Sequence, residues 1–179
     1  RVGDREHGRG VVRGQAGVTT LAVAGRTNAH MSLAVHGTFV VATWAASLPS
    51  GVTDVHAAVS RDGGDSFAPP TRVNSTPGDA RINGEQPPRV ALAPRSRGEP
   101  VITVLWTSKG ASGTTLLTSR SEDGGRSFSP SALVGGTDAP GNRGWQAIAT
   151  DRSGAVHAVW LDHRELAATD TAKPSGGTH

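Results

Sequence analysis

His157 and His163 stand six residues apart with Asp162 and Glu165 close by, and imidazole with carboxylate is a donor set that can hold a divalent metal. The spacing matches no strong ligand motif, and a strand carrying His157 is expected to end before His163, so the two rings need not share a face. No metal and no cofactor is expected. The serines lie in turn-like stretches without a nucleophile-elbow pattern. Gly63-Gly64 and Gly124-Gly125 have no following lysine and suit hairpin turns, so a phosphate cradle is not expected either. Indoles can stack on sugar rings, but Trp44, Trp106 and Trp160 recur at matched places in three segments, which predicts packing between neighbouring units. Trp145 stands outside that pattern and is the indole left for a substrate.

The elements that must position these side chains are short strands. The chain has 179 residues with 24 Gly and 11 Pro among many Ser, Thr and Val, a composition that suits strands joined by tight turns. It has no Cys, which excludes disulfides and thiolate metal sites, and no apolar run approaching the ~18 residues of a membrane span. The formal charge of +3 arises wholly within residues 1–30, where Arg1, Arg5, Arg9, Arg13 and Arg26 face Asp4 and Glu6. A Gly- and Arg-rich arm of this kind is expected to be solvated, not to bind nucleic acid. The first residue is Arg1, which predicts a processed or cut amino terminus.

An internal repeat sets the fold class. Ser60-Arg61-Asp62-Gly63-Gly64-Asp65-Ser66-Phe67 recurs 61 residues later as Ser121-Glu122-Asp123-Gly124-Gly125-Arg126-Ser127-Phe128. Upstream lie apolar runs ending in Trp, Phe39 to Trp44 and Val101 to Trp106, and the distance from Trp to the box serine is 16 residues in one unit and 15 in the other. A third run, Ala155 to Trp160, has no following box. In the second unit strands are predicted near Arg89–Ala93, Val101–Thr107, Thr114–Ser119 and Ser131–Val134, with turns at 94–98 and 122–126. Four strands repeated every ~40–60 residues describe a propeller blade. The expected architecture is all-β: an arm or the end of a preceding blade over 1–29, blades over 30–80 and 81–140, and the start of a third over 141–179.

The octapeptides resemble the Asp-box repeat, S-x-D-x-G-x-[ST]-[FW], of the sialidase-like (neuraminidase) superfamily. The residue types have a local reason. Asp62 and Asp123 can accept from backbone N–H groups of the turn, Gly64 and Gly125 can take positive φ, and Phe67 and Phe128 can tuck under the blade. Ser60 and Ser121 open each box. The resemblance covers about residues 30–165 and implies a segment of a propeller of about six blades, within the ~4–8 that close a ring. In that family the box is structural and lies on the outer part of the blade, far from the central site.

The resemblance also implies an activity: exo-glycoside hydrolysis of terminal sugars, sialic acid foremost, by a Tyr nucleophile paired with Glu, an Asp acid/base and three Arg that bind the substrate carboxylate. No Tyr occurs in the chain, and the Arg-Ile-Pro signature is absent in strict form. The nearest approach is Asn142-Arg143-Gly144-Trp145, followed by a Gly turn, an apolar strand and Asp162-His163-Arg164. By carry-over Arg143 would bind a carboxylate, Asp170 would fall near the acid/base position, and Trp145 and Arg164 would contact substrate. The alternative reading is that Asp162 and Arg164 simply pair at a loop where the strand ends. The implied partners are a glycan and the remaining blades of the same propeller, and the implied location is secreted or periplasmic. A second reading is a non-catalytic propeller that binds glycan or protein, and a third is an Asp-box enzyme cutting plant β-glucans with paired carboxylates.

Overall fold

A computed structural model describes residues 18–110 and 112–165; most of the basic arm and Asp170 lie outside the described residues. Among the described residues there is no helix, and therefore none long and apolar enough to cross a membrane. Strands β1 (Thr27–His36), β2 (Phe39–Ser47), β3 (Thr53–Ser60) and β4 (Thr71–Arg72) form one antiparallel sheet in chain order. Strands β5 (Arg89–Ala93), β6 (Val101–Gly110), β7 (Gly113–Ser121) and β8 (Ala132–Leu133) form a second of the same design. A pair, β9 (Arg143–Thr150) and β10 (Val156–Asp162), follows. The strands expected in the second unit are all present. The outer ones are only two residues long, each preceded by prolines (Pro69-Pro70 and Pro130) that have no N–H to give a ladder.

The two four-stranded sheets pack face to face. Phe39 and Val41 of β2, Val55 and Val59 of β3, and Ile102, Val104 and Trp106 of β6 form one core, with Trp106 and Ile102 fully buried. Alternation along β2 sends Ala42, Trp44 and Ala46 to the other face, where Leu21, Val23 and Phe67 cover them. Trp106 thus packs between sheets, while Trp44, one unit earlier, is covered by the segment entering β1. At the ends of the array apolar side chains are open: Met31, Leu33 and Val35 on β1, and Val159 and Leu161 on β10, are all more than half exposed. These belong to an incomplete propeller.

The two boxes close the β3–β4 and β7–β8 connections at one end of the strands. Ser60 Oγ donates to Asp62 and accepts from Gly64 N–H, while Asp62 accepts from Ser66 N–H. Ser121, Asp123, Gly125 and Ser127 repeat the pattern. Gly64 and Gly125 have φ of 104° and 84°. Phe67 and Phe128 are partly buried against the two cores. Gly63 N–H donates to Thr38 O, which ties the first box to the β1–β2 turn. The starts of β1 and β9 lie at the opposite end.

Candidate functional site

At that opposite end, β1 and β9 share an irregularity. In β1 the pairing passes from Ala29↔Ala45 to Ser32↔Thr43, so His30 and Met31 together face Trp44. In β9 it passes from Gly144↔Leu161 to Ala147↔Val159, so Trp145 and Gln146 together face Trp160. These are β-bulges, one extra residue set against the recurrent Trp. The first residue of each is left-handed, His30 at φ 56° and Trp145 at φ 51°, and among the described residues no other non-glycine has positive φ. Such a conformation costs a bulky residue on the order of 1–3 kcal/mol and persists only where neighbours over-determine it.

Those neighbours are visible around Trp145. Two residues before it, the Arg143 backbone is bonded in both directions to Thr114 Oγ1, donating N–H at 2.8 Å and accepting at its carbonyl at 2.7 Å. The Arg143 side chain is 1% exposed. Its guanidinium donates to the carbonyls of Ala139, Pro140 and Gly141 and to Asp162 Oδ2. One residue after Trp145, Gln146 is equally buried, donating to Pro87 O and accepting from Thr107 Oγ1, while its own carbonyl accepts from Arg89 Nε. A Cβ at Gly144 would fall 2.5 Å from Gln86 Oε1 and would displace the end of that side chain. The loop ahead is as tight: Gly141 is wedged between the backbones of Gly113 and Arg164. Trp145 is therefore an exposed side chain, at 40%, on a backbone held from both sides.

The other strand of the pair supplies the rim. Asp162 ends β10 and receives the guanidinium of Arg164 as well as that of Arg143, and it accepts the Arg164 N–H at 3.0 Å. The hydrogen bond from Arg164, with smaller help from Arg143, holds the Asp162 carboxyl well below the usual carboxylate range. Arg164 is partly exposed and also donates to Gly136 O. His163, between them, turns its ring onto Trp145 with centroids 4.9 Å apart and planes tilted by 42°. The result is an aromatic pair beside two cations that share one carboxylate.

Of the residues singled out in the sequence, Arg143, Trp145, Asp162, His163 and Arg164 are brought together here, while Asp170 lies outside the described residues. Arg143 is spent largely on carbonyls and Asp162, and Asp162 and Arg164 form the expected loop pair. His157 parts from His163 and pairs with Asp151 at 3.0 Å. Among the described residues no group of three His, Asp or Glu is placed to hold a metal. The box residues lie at the far end, where Asp62 and Asp123 are held low by hydrogen bonds from Ser66 and Ser127. Sequence reasoning missed Gln146 and His30, and it missed a buried network near the β1 start. There Asp54, fully buried, accepts from Arg26 at 2.7 Å, from Asn74 at 2.9 Å and from Gly78 N–H at 2.8 Å. Burial pushes Asp54 upward, but these donors outweigh it and leave its pKa below the ordinary value. The one available signal was that Asp54 is the single carboxylate of β3.

No protein-family model and no curated protein matches the chain. Among solved structures it is similar to the Hadza microbial sialidase Hz136, with a TM-score of 0.52 and 18% identity over 75% of this chain and 32% of that one. It is also similar to the α-L-arabinofuranosidase Arb93A from Fusarium graminearum, solved with an iminosugar inhibitor, with a TM-score of 0.50 and 15% identity over 78% of this chain and 42% of that one. The chain thus spans less than half the length of either. Four-stranded antiparallel sheets packed in series and these two likenesses give this chain its architecture: part of a β-propeller of the fold found in these glycoside hydrolases.

Proposed function

We propose that the chain is a carbohydrate-recognising segment of a sialidase-like exo-glycoside hydrolase, acting on terminal sugars of glycans with sialic acid foremost. The supporting observation is the rim built by Arg143, Trp145, Asp162, His163 and Arg164, at the strand end opposite the structural boxes. An aromatic pair covers the apolar face of a ring, and the partly exposed Arg164 guanidinium, set among Asp138, Asp162 and Glu165, can give a charge-assisted hydrogen bond to a sugar carboxylate. In this reading Arg164 meets substrate, Arg143 positions the rim from beneath, and Asp170 is the acid/base candidate. The remaining blades supply the nucleophile and further arginines, since the chain has no Tyr. Export to the cell exterior or periplasm goes with a glycan substrate.

A second reading, a non-catalytic propeller that binds glycan or protein, is favoured by one specific observation: Arg143 has most of its donors committed within the chain. Hydrolysis of a fluorogenic sialoside, measured on the complete protein and on this chain, separates the two. Turnover by the complete protein alone is the expected result. Silence in both, with sialoside binding retained, would replace the hydrolase by the binding module.

A further inference from the structure

The sheets of the array meet through one repeated surface. Where the second sheet meets the first, Val90 and Leu92 of β5 lie across from Val104 and Ile102 of β6, Trp106 follows Val104 by two residues, and all five join the shared core. The first sheet carries the same surface on the face turned away from the second. There Leu33 and Val35 lie across from Ala42 and Val40, and Trp44 follows Ala42 by two residues. Leu21 and Val23 cover Trp44, but Leu33 and Val35 remain 61% and 64% exposed. At the other end of the array, Ala158 of β10 lines a cleft with Leu105 and Thr118 of the second sheet, so Val159 and Leu161, on the opposite face of the strand, point outward. They are 66% and 53% exposed. A surface that receives a neighbouring sheet is thus open at one end, and a surface given to a neighbour is open at the other. Apolar rows of this kind mark contact sites.

We propose that these two faces take each other between two copies of the chain, the first sheet of one copy packing on the β9–β10 pair of the other. The contact continues the series already made twice within the chain, β1 against β5 and β5 against β9. It joins unlike faces and is therefore head to tail. Three sheets from each of two copies make six, within the ~4–8 that close a propeller, so the contact is made twice and stops at the dimer. His157 stands three residues before Trp160, where Val41 stands three before Trp44, so the outward face of β10 is less apolar than its counterpart inside the chain. A dissociation constant on the order of micromolar is expected. Further blades joined to this chain in a longer polypeptide take the same two faces, so the dimer belongs to the 179-residue chain and is independent of the hydrolase reading.

The test is sedimentation velocity of the 179-residue chain over concentrations from about 1 to about 100 µM, a range that brackets the expected constant. A monomer that converts to a species of twice its mass, and to nothing larger, is the expected result. Leu33→Asp and Val159→Asp each place a carboxylate on one of the two faces, at positions already exposed, so the fold is kept. Because the contact joins unlike faces, each variant alone should stay monomeric. An equimolar mixture should recover a weaker dimer through the one contact whose two faces are both unaltered, and that recovery also shows that both variants are folded. A parent chain that is monomeric throughout overturns the proposal, as does growth into filaments, which means that the ring does not close. A dimer that persists in either variant alone means that like faces pair and overturns it equally. Variants that remain monomeric when mixed overturn it as well.

Discussion

Gly125 of the second box lies against Val59 of the first sheet so closely that a Cβ at Gly125 would fall 2.5 Å from Val59 Cγ2. Gly64, its counterpart, has nothing within 4 Å of the same position. Two glycines of one motif thus have different duties: both supply positive φ, but only Gly125 permits a blade-to-blade contact. Gly64→Ala should cost about 1–2 kcal/mol, the backbone penalty alone. Gly125→Ala adds overpacking and should cost roughly 2–5 kcal/mol. Urea denaturation of the two variants gives the comparison, and equal midpoints would show that the Gly125–Val59 contact is loose.

The Asp54 network makes a sharper demand. Both carboxylate oxygens are used, and the side chain has no solvent exposure. Asp54→Ala leaves the Arg26 cation beside the fully buried site and strands the Gly78 N–H, so a loss of about 3–5 kcal/mol is expected. Asp54→Asn, which can still accept from Gly78 N–H, should lose less. A thermal midpoint for Asp54→Ala close to that of the parent would mean that water replaces the carboxylate freely.

The unequal legibility of these features has a physical cause. The boxes are readable because Ser60, Asp62, Gly64 and Ser66 bond to one another within seven residues, so their types and spacing carry the structure. The strands are readable because runs such as Val101 to Trp106 are buried on both faces and therefore continuously apolar. The bulges at His30 and Trp145 are not, since a bulge exists only relative to the partner strand, and nothing local marks which residue will turn left-handed. The fate of Arg143 depends on three carbonyls of its own loop and on Asp162, nineteen residues away. Sequence showed a cation near a strand start but not where its donors point.

Acid should unfold the protein in two stages. His56 is 8% exposed and stacks near Trp44, and burial, with Arg26 and Arg72 adding to it, pushes its pKa below 6.5 despite the pull of Asp54. The unfolded chain then takes up the proton first, so stability is full above about pH 6.5 and declines as pH falls through the folded value. Asp62, Asp123, Asp151 and Asp162 are all held below 3.8, so their contributions persist to that pH and fade beneath it. Asp79, raised by burial, works in the opposite sense in the acid range. Thermal midpoints measured from about pH 8 down to about pH 3 should show both declines, and His56→Gln should remove the first. Persistence of the first decline in that variant would assign it to an exposed histidine.

Arg143 and Arg164 share Asp162 but differ in what surrounds them, and that difference predicts opposite balances of stability and function. Arg143→Ala takes the donor from the Ala139 and Pro140 carbonyls and leaves a cavity beneath the rim, and should cost about 2–5 kcal/mol. Arg164 is 43% exposed and its pairing is screened by solvent, so Arg164→Ala should leave the thermal midpoint close to that of the parent. If Arg164 meets an acidic sugar, the same variant should weaken sialoside binding or turnover by about tenfold or more, the worth of a charge-assisted hydrogen bond. Paired measurements of thermal midpoint and sialoside affinity on both variants decide the matter. A folded Arg164→Ala protein with parental affinity would remove Arg164 from the site, whereas loss of affinity only in step with loss of stability would make the whole Asp162 cluster structural.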